Sequence, residues 1–157
     1  MKLKVLALGI AALFLTSSCS EDDAKEPVIN AAELAGDWYY VSYVVDGQII
    51  AYQHPVCENS SGGAVVKRDY VEFSSTPDEA GHNFTSVEWL PECAGTDTTM
   101  GVYTFNGQVL TVTIDEDTAV TGTVLELTAN KLVLQTVYDF DGDGDQEMVI
   151  ETYAANP

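Results

Sequence analysis

Residues 100–114 read MGVYTFNGQVLTVTI, and this stretch decides the fold. Two alternating apolar/polar runs flank Asn106-Gly107, a pair favoured where a tight type I′ hairpin needs positive φ at both turn residues. In the second run Leu110, Val112 and Ile114 fall on one face, and Thr111 and Thr113 take the other, which is the period of a half-buried strand. Asp46-Gly47 repeats the type I′ signal, while Ala129-Asn130 and the Asp115–Thr118 cluster mark two more turns. The same alternation predicts strands over 37–45, 48–52, 68–74, 82–90, 100–106, 108–114, 119–128, 131–139 and 146–153, with no helix beyond one turn at 30–34. Leu132, Leu134 and Tyr138 share a face against Gln135. From Thr99 to Tyr153 the connections are short, so these strands are expected to be antiparallel sequence neighbours. Such connections favour a barrel over a sandwich, whose sheets usually need longer crossings. The expected fold is therefore all-β, an eight-stranded antiparallel up-and-down barrel over residues 31–157. The 52–67 segment is expected to be one long irregular loop at a mouth.

Alternation also nominates an interior. Trp38, Tyr40, Ser42, Val44, Tyr103, Phe105, Leu125 and Leu127 are the candidate inward residues, an aromatic-rich set suited to an apolar guest. A barrel of eight strands is wide enough to be filled by its own side chains or to hold one small ligand, and both alternatives stand at this stage. Gly36-Asp37-Trp38 opens the first long strand: the glycine permits a sharp turn into the barrel, and the indole can plug its closed end. This G-x-W resembles the signature of the lipocalin/calycin class. Residues 33–153 as a whole resemble the lipocalin-like domains of Bacteroidetes lipoproteins. Leu34-Ala35-Gly36-Asp37-Trp38 is followed by Asp46-Gly47, a cysteine, the Tyr70-Val71-Glu72-Phe73 strand and a second cysteine before a hairpin pair. The resemblance implies a lipocalin-like barrel that binds a small, mainly apolar or neutral molecule. The rival is a structural or interaction lipoprotein with a filled barrel, acting through its loops. One departure stands out: lipocalins stack an arginine near the end of the barrel on the tryptophan, and no arginine follows Arg68 here.

The amino terminus reads as an address. Lys2 and Lys4 precede an apolar run, Val5 to Leu15, too short to span a bilayer, and Thr16-Ser17-Ser18 supplies small residues before Cys19. This resembles a bacterial lipobox, although Thr16 stands where an aliphatic residue is usual. The resemblance implies a lipoprotein signal peptide over 1–18 and acylation of Cys19, which would anchor the chain to a membrane without a spanning helix. Residues 19–30 read as an acidic tether. Its start, Ser20-Glu21-Asp22-Asp23, resembles the export signal of Bacteroidetes surface lipoproteins and implies a lipid-anchored, surface-facing position on the outer membrane. With 25 acidic against 6 basic residues and a net charge of −19, the chain repels nucleic acid and anionic membrane surfaces. Cations, neutral or apolar small molecules and basic protein surfaces are the partners that remain.

Acylation of Cys19 leaves Cys57 and Cys93, and an even pair in an oxidising compartment is expected to form a disulfide. A metal site built from these two with His54 and His82 lacks any CxxC or HxxxH spacing. A second informative stretch runs Asp139-Phe140-Asp141-Gly142-Asp143-Gly144-Asp145-Gln146-Glu147. As an EF-hand it fails, because Ile150 stands where a bidentate glutamate is needed. It resembles the D-x-D-x-D-G-x-x-[DE] calcium loops that cap β-hairpins, which implies a structural calcium on Asp139, Asp141, Asp143, the Asp145 carbonyl and Glu147. No catalytic arrangement is legible. His54 and His82 have no nucleophile spaced around them, and paired carboxylates such as Glu88 and Glu92 arise by chance in so acidic a chain. The expectation is a binding protein, not an enzyme, with no catalytic cofactor.

Overall fold

The first strand, β1 (Gly36–Val45), has three partners, and together they close the sheet into a ring. The computed structural model describes residues 31–58, 61–115 and 118–156. The expected signal peptide, Cys19 and the acidic tether lie outside the described residues. After β1 come β2 (Gln48–Ala51), β3 (Val56–Glu58), β4 (Ala64–Val66), β5 (Tyr70–Phe73) and β6 (Phe84–Trp89). They are followed by β7 (Thr96–Phe105), β8 (Val109–Thr113), β9 (Ala119–Thr128), β10 (Lys131–Tyr138) and β11 (Glu147–Ala154). From β5 to β11 each strand pairs antiparallel with the next, and β11 returns to pair with β1 over Tyr39↔Ala154 to Val45↔Val149. The all-β, eight-stranded antiparallel barrel expected from alternation is the fold observed.

One stave of this barrel is broken. The other edge of β1 pairs with β5 along Gly36–Tyr39 and with β2 along Ser42–Val45, so β2 and β5 share one position in the ring. Between them the chain leaves the wall as the β3–β4 hairpin, inside the segment expected to be irregular. The Cys57–Cys93 disulfide ties this hairpin to the β6–β7 turn. At the break, side chains replace the missing ladder. The buried Asp69 accepts hydrogen bonds from the Tyr52 hydroxyl (2.9 Å) and the Trp89 backbone N–H (2.6 Å). The Asp69 N–H is 3.2 Å from His54 Nδ1, and His54 Nε2 is 2.8 Å from the Tyr40 carbonyl. An imidazole carrying its proton on Nε2 satisfies both contacts, so His54 pins two backbones together.

The closed end is packed by Leu34, Trp38, Phe73, Phe84 and Leu132, all buried, with Leu127 and Phe105 against them. The Trp38 indole N–H donates to the Leu34 carbonyl at 2.7 Å, which fixes the plug as expected from G-x-W. Two bulges overturn part of the inward set. In β1 the register slips between Tyr40 and Ser42, leaving Val41 as an extra residue, 42% exposed. Beyond it the phase reverses. Tyr43 shares the face of Glu151, while Ser42 and Val44 pair with Thr152 and Ile150 on the outward phase of β11. In β9 the slip falls between Glu126 and Val124, so Leu125 is the extra residue and is 46% exposed, while Val124 is buried. Trp38, Tyr40, Tyr103, Phe105 and Leu127 do join the core. The turns divide as well. Asp46 and Gly47 both take positive φ (51° and 75°), as type I′ requires. Asn106 does not enter the left-handed region; its Oδ1 instead accepts from the N–H groups of Gln108 (3.2 Å) and Val109 (2.8 Å).

Candidate functional site

Whether an eight-stranded barrel is hollow depends on how much side chain its inward positions supply. Here Ser86 on β6, Thr99 on β7, Gly122 on β9 and Thr136 on β10 all face inward, and none brings enough volume to reach the axis. A Cβ at Gly122 would already stand 2.9 Å from the Thr136 methyl. The result is a cavity of about 430 Å³ inside the barrel, within the usual range for a small-molecule site. Its floor is Val71, Phe73, Phe84 and Leu110, and its mouth is rimmed by Glu88, Ile114, Val120 and Tyr138. The face Leu110-Val112-Ile114 read from the sequence is one wall of it.

Tyrosines form the opposite wall. Tyr40 packs on Tyr153 with ring centroids 4.8 Å apart and on Tyr52 at 4.9 Å, and Tyr43 meets Tyr52 edge-on at 5.6 Å. Burial pushes the Tyr40 phenol up to about 12, and burial likewise raises Tyr43, Tyr138 and Tyr153. These phenols are therefore neutral donors across the physiological range. In their midst sits Glu151, paired across the sheet with Tyr43. Its carboxyl is approached by the Tyr138 hydroxyl at 3.3 Å and the Thr136 hydroxyl at 3.5 Å, both long for O–H···O bonds. Burial raises its pKa, opposed by hydrogen bonds from Tyr153, Tyr138 and Thr136. At the mouth Glu88 is also raised, by burial and then by the nearby Asp69 and Asp97.

Alternation missed Glu151, yet its signal was present. It falls in phase with Val149 and Tyr153, both buried, so a carboxylate stands at an apolar position of the pattern. Of the proposed acid pair, Glu88 reaches the cavity, whereas Glu92 is exposed in the disulfide-tied turn at φ 58°. His82 is 3.4 Å from Asp78 in a loop of its own. Cys57 and Cys93 are joined to each other as expected.

The acidic loop joins β10 to β11 at the mouth. Asp139, Asp141 and Glu147 bring carboxylate oxygens within 4.8 Å of one another, and the side chains of Asp143 and Asp145 lie outside this group. Asp139 accepts from the N–H groups of Gly142 (2.7 Å) and Gly144 (3.1 Å), and Glu147 accepts from that of Phe140 (2.7 Å). Asp143 is spent on the Asp145 N–H at 2.8 Å. Phe140 projects from this loop onto Tyr43 (5.4 Å) and Tyr138 (6.1 Å), linking the loop to the cavity wall.

The raised pKa of Glu151 carries a sign that can be tested. The folded chain holds this proton more tightly than the unfolded chain, so its stabilising contribution is full below the ordinary glutamate pKa. It is lost as pH rises through the raised value. Glu151→Gln, which keeps the shape and cannot ionise, should raise Tm near pH 7 by about 4 °C, roughly what 1 kcal/mol is worth in a small domain. The gain should vanish below about pH 4. Thermal melts of both proteins across pH check this, and a variant less stable at neutral pH would show that the carboxylate is well solvated or paired.

Comparison with known proteins agrees with this architecture. The profile of the lipocalin-like domain family matches residues 34–134. No curated protein matches the chain. The crystal structure of an uncharacterized protein from Bacteroides eggerthii is similar at 13% identity and a TM-score of 0.50, covering 78% of this chain and 98% of that one. A lipocalin-like protein from Bacteroides uniformis aligns at 14% identity and a TM-score of 0.45, over 78% of this chain and 97% of that one. Barrels of this fold generally bind small hydrophobic ligands and are typically not enzymes. On the profile match over most of the barrel, the chain belongs to the lipocalin-like domain family.

Proposed function

We propose that this protein is a lipid-anchored envelope lipoprotein whose barrel binds a small, mainly apolar or neutral molecule. The observation that carries this reading is the cavity of about 430 Å³, closed below by Phe73 and Phe84 and open above between Ile114, Val120 and Tyr138. Apolar and aromatic walls supply the burial energy, at about 25 cal/mol per Å², and the few polar groups fix orientation. Native mass spectrometry of protein purified from a related host should find a non-protein mass that leaves on organic denaturation. Val112→Phe, which fills the wall, should abolish it while leaving the far-ultraviolet circular dichroism unchanged. A bare protein mass, unaltered by a panel of lipids and small metabolites, would overturn the carrier reading. The rival would then gain weight: a protein acting through its loops, favoured by the exposed Val56–Val66 pair on the β3–β4 hairpin.

The anchor is supported by the Lys2-to-Cys19 pattern and by the acidic run behind it. Acylated Cys19 would hold the barrel at the outer membrane, its surface-facing position read from residues 20–23. Cys19→Ala should move the protein from the membrane fraction to the soluble fraction; retention in the membrane would exclude acylation as the anchor.

A calcium ion on the β10–β11 loop is supported by the convergence of Asp139, Asp141 and Glu147, since such like charges repel without a cation. Its role would be to brace the loop that seats Phe140 against Tyr43 and Tyr138. Calcium should raise Tm, and Asp139→Asn with Asp141→Asn should remove that rise. A rise that survives both substitutions would place the ion elsewhere.

A further inference from the structure

The cavity is apolar in most of its lining but not in its charge balance. Two carboxyl groups face it, Glu151 within the wall and Glu88 at the rim, and among the described residues no lysine, arginine or histidine lines it. Lys67, Arg68 and Lys131 are all outside the lining; Lys131 pairs with Glu126 at 2.6 Å, and Lys67 lies 4.5 Å over the Trp89 ring. Glu151 is left with neutral hydroxyl partners alone, those of Tyr153, Tyr138 (3.3 Å) and Thr136 (3.5 Å), and none of them brings a positive charge. A carboxyl drawn out of water among neutral hydroxyls, with no counter-charge in the lining, is costly to a barrel that gains nothing from it, unless a ligand brings that charge.

The surroundings state what would complete it. Tyr40, Tyr138 and Tyr153 line the cavity beside the carboxyl: the Tyr138 and Tyr153 hydroxyls reach Glu151, and the Tyr40 ring packs on that of Tyr153 at 4.8 Å. Aromatic faces attract cations, and phenolic oxygens accept hydrogen bonds from them, so this corner offers an acid and three electron-rich rings to one guest. An anionic ligand meets two carboxyls and is repelled. A purely apolar ligand leaves Glu151 unsatisfied. A small organic cation, with an ammonium head and an apolar body, satisfies both regions at once. The head would sit between Glu151 and the tyrosines, and the body would lie over Val71, Leu110 and Val112.

We propose that the barrel is selective for a small organic ammonium, with Glu151 as the group that recognises its charge and Tyr40, Tyr138 and Tyr153 as the cage around it. This rests on the reading of the cavity as a ligand site, keeps the mainly apolar body of that ligand and replaces a neutral head with a cationic one. The overall negative charge of the protein would draw such a cation toward the surface, but surface attraction is screened by salt, whereas pairing inside the cavity is screened far less.

The test is isothermal titration calorimetry on the full chain carrying Cys19→Ala, at about 0.15 M salt, where screening acts over about 8 Å. The probes are 2-phenylethylamine, protonated at neutral pH, and 2-phenylethanol, its neutral counterpart of nearly the same size. The amine should bind at least about tenfold more tightly than the alcohol. Glu151→Gln should bring the two within about twofold, and Glu88→Gln should leave most of the preference in place. Equal binding of both probes to the protein with Glu151 intact would overturn the ammonium assignment and leave the cavity reading standing. Binding of neither would overturn the cavity reading itself. An amine preference that survives Glu151→Gln would overturn the assignment to Glu151 and point to the acidic surface.

Discussion

Pairing of β1 with β11 is the constraint on which the rest depends, because it turns a meander into a closed ring. Closure leaves unpaired edges only at the break between β2 and β5, so most of the design freedom moves to the inside and to the loops at the ends. Every inward residue must then be part of a floor, a wall or a cavity. Leu34, Trp38 and Phe73 fill one end completely. Ser86, Thr99, Gly122 and Thr136 leave the other end open. The same closing pair carries the Val41 bulge, which turns Tyr43 inward opposite Glu151. The polar character of the cavity thus follows from the register of the strand pair that closes the barrel.

The broken stave follows from the same geometry. Where β2 stops and β5 has not begun, β1 and β6 lose ladder partners, and buried backbone groups need replacements. Asp69, His54 and Tyr52 supply them, and the disulfide fastens the departing hairpin to the far side of the gap. His54 and Asp69, which could suggest chemistry, are therefore occupied in holding a wall together. What remains available to a ligand is the inner surface, with its tyrosines and two carboxyls, and the acidic loop above it, whose Phe140 reaches the same tyrosines.

Much of this was legible in the order of residues, and the reasons are local. Alternation located the barrel strands to within a few residues because each strand reports its own two faces, and Asp46-Gly47 formed its turn because positive φ is a property of that dipeptide. What was not legible depends on a partner. A bulge is one residue too many relative to a neighbouring strand, so Val41 and Leu125 cannot be identified without the register of β11 and β10, and Ser42, Val44 and Leu125 were misplaced for that reason. Asn106 was misread because it stays out of the left-handed region: its side chain accepts from the Val109 N–H while its own N–H donates to the Val109 carbonyl. The β3–β4 hairpin hid in a stretch rich in glycine and serine. The cavity itself was invisible because it is the sum of small residues on four different strands. Glu151 was visible as a charge in an apolar phase, but twenty-five acidic residues made one more easy to pass over.

The ligand reading depends on Glu151 being a poorly hydrated carboxyl in a mainly apolar lining that carries one other acid, Glu88, at its rim. Its side-chain carbon can be followed by nuclear magnetic resonance in protein labelled with ¹³C at glutamate, assigned by Glu151→Gln and titrated with acid. This resonance should titrate above the ordinary glutamate range, in the direction burial dictates. A Glu151 resonance that titrates with the surface glutamates would mean that water fills the cavity around it, and the account of the barrel as a dry, acid-lined binding site would be wrong.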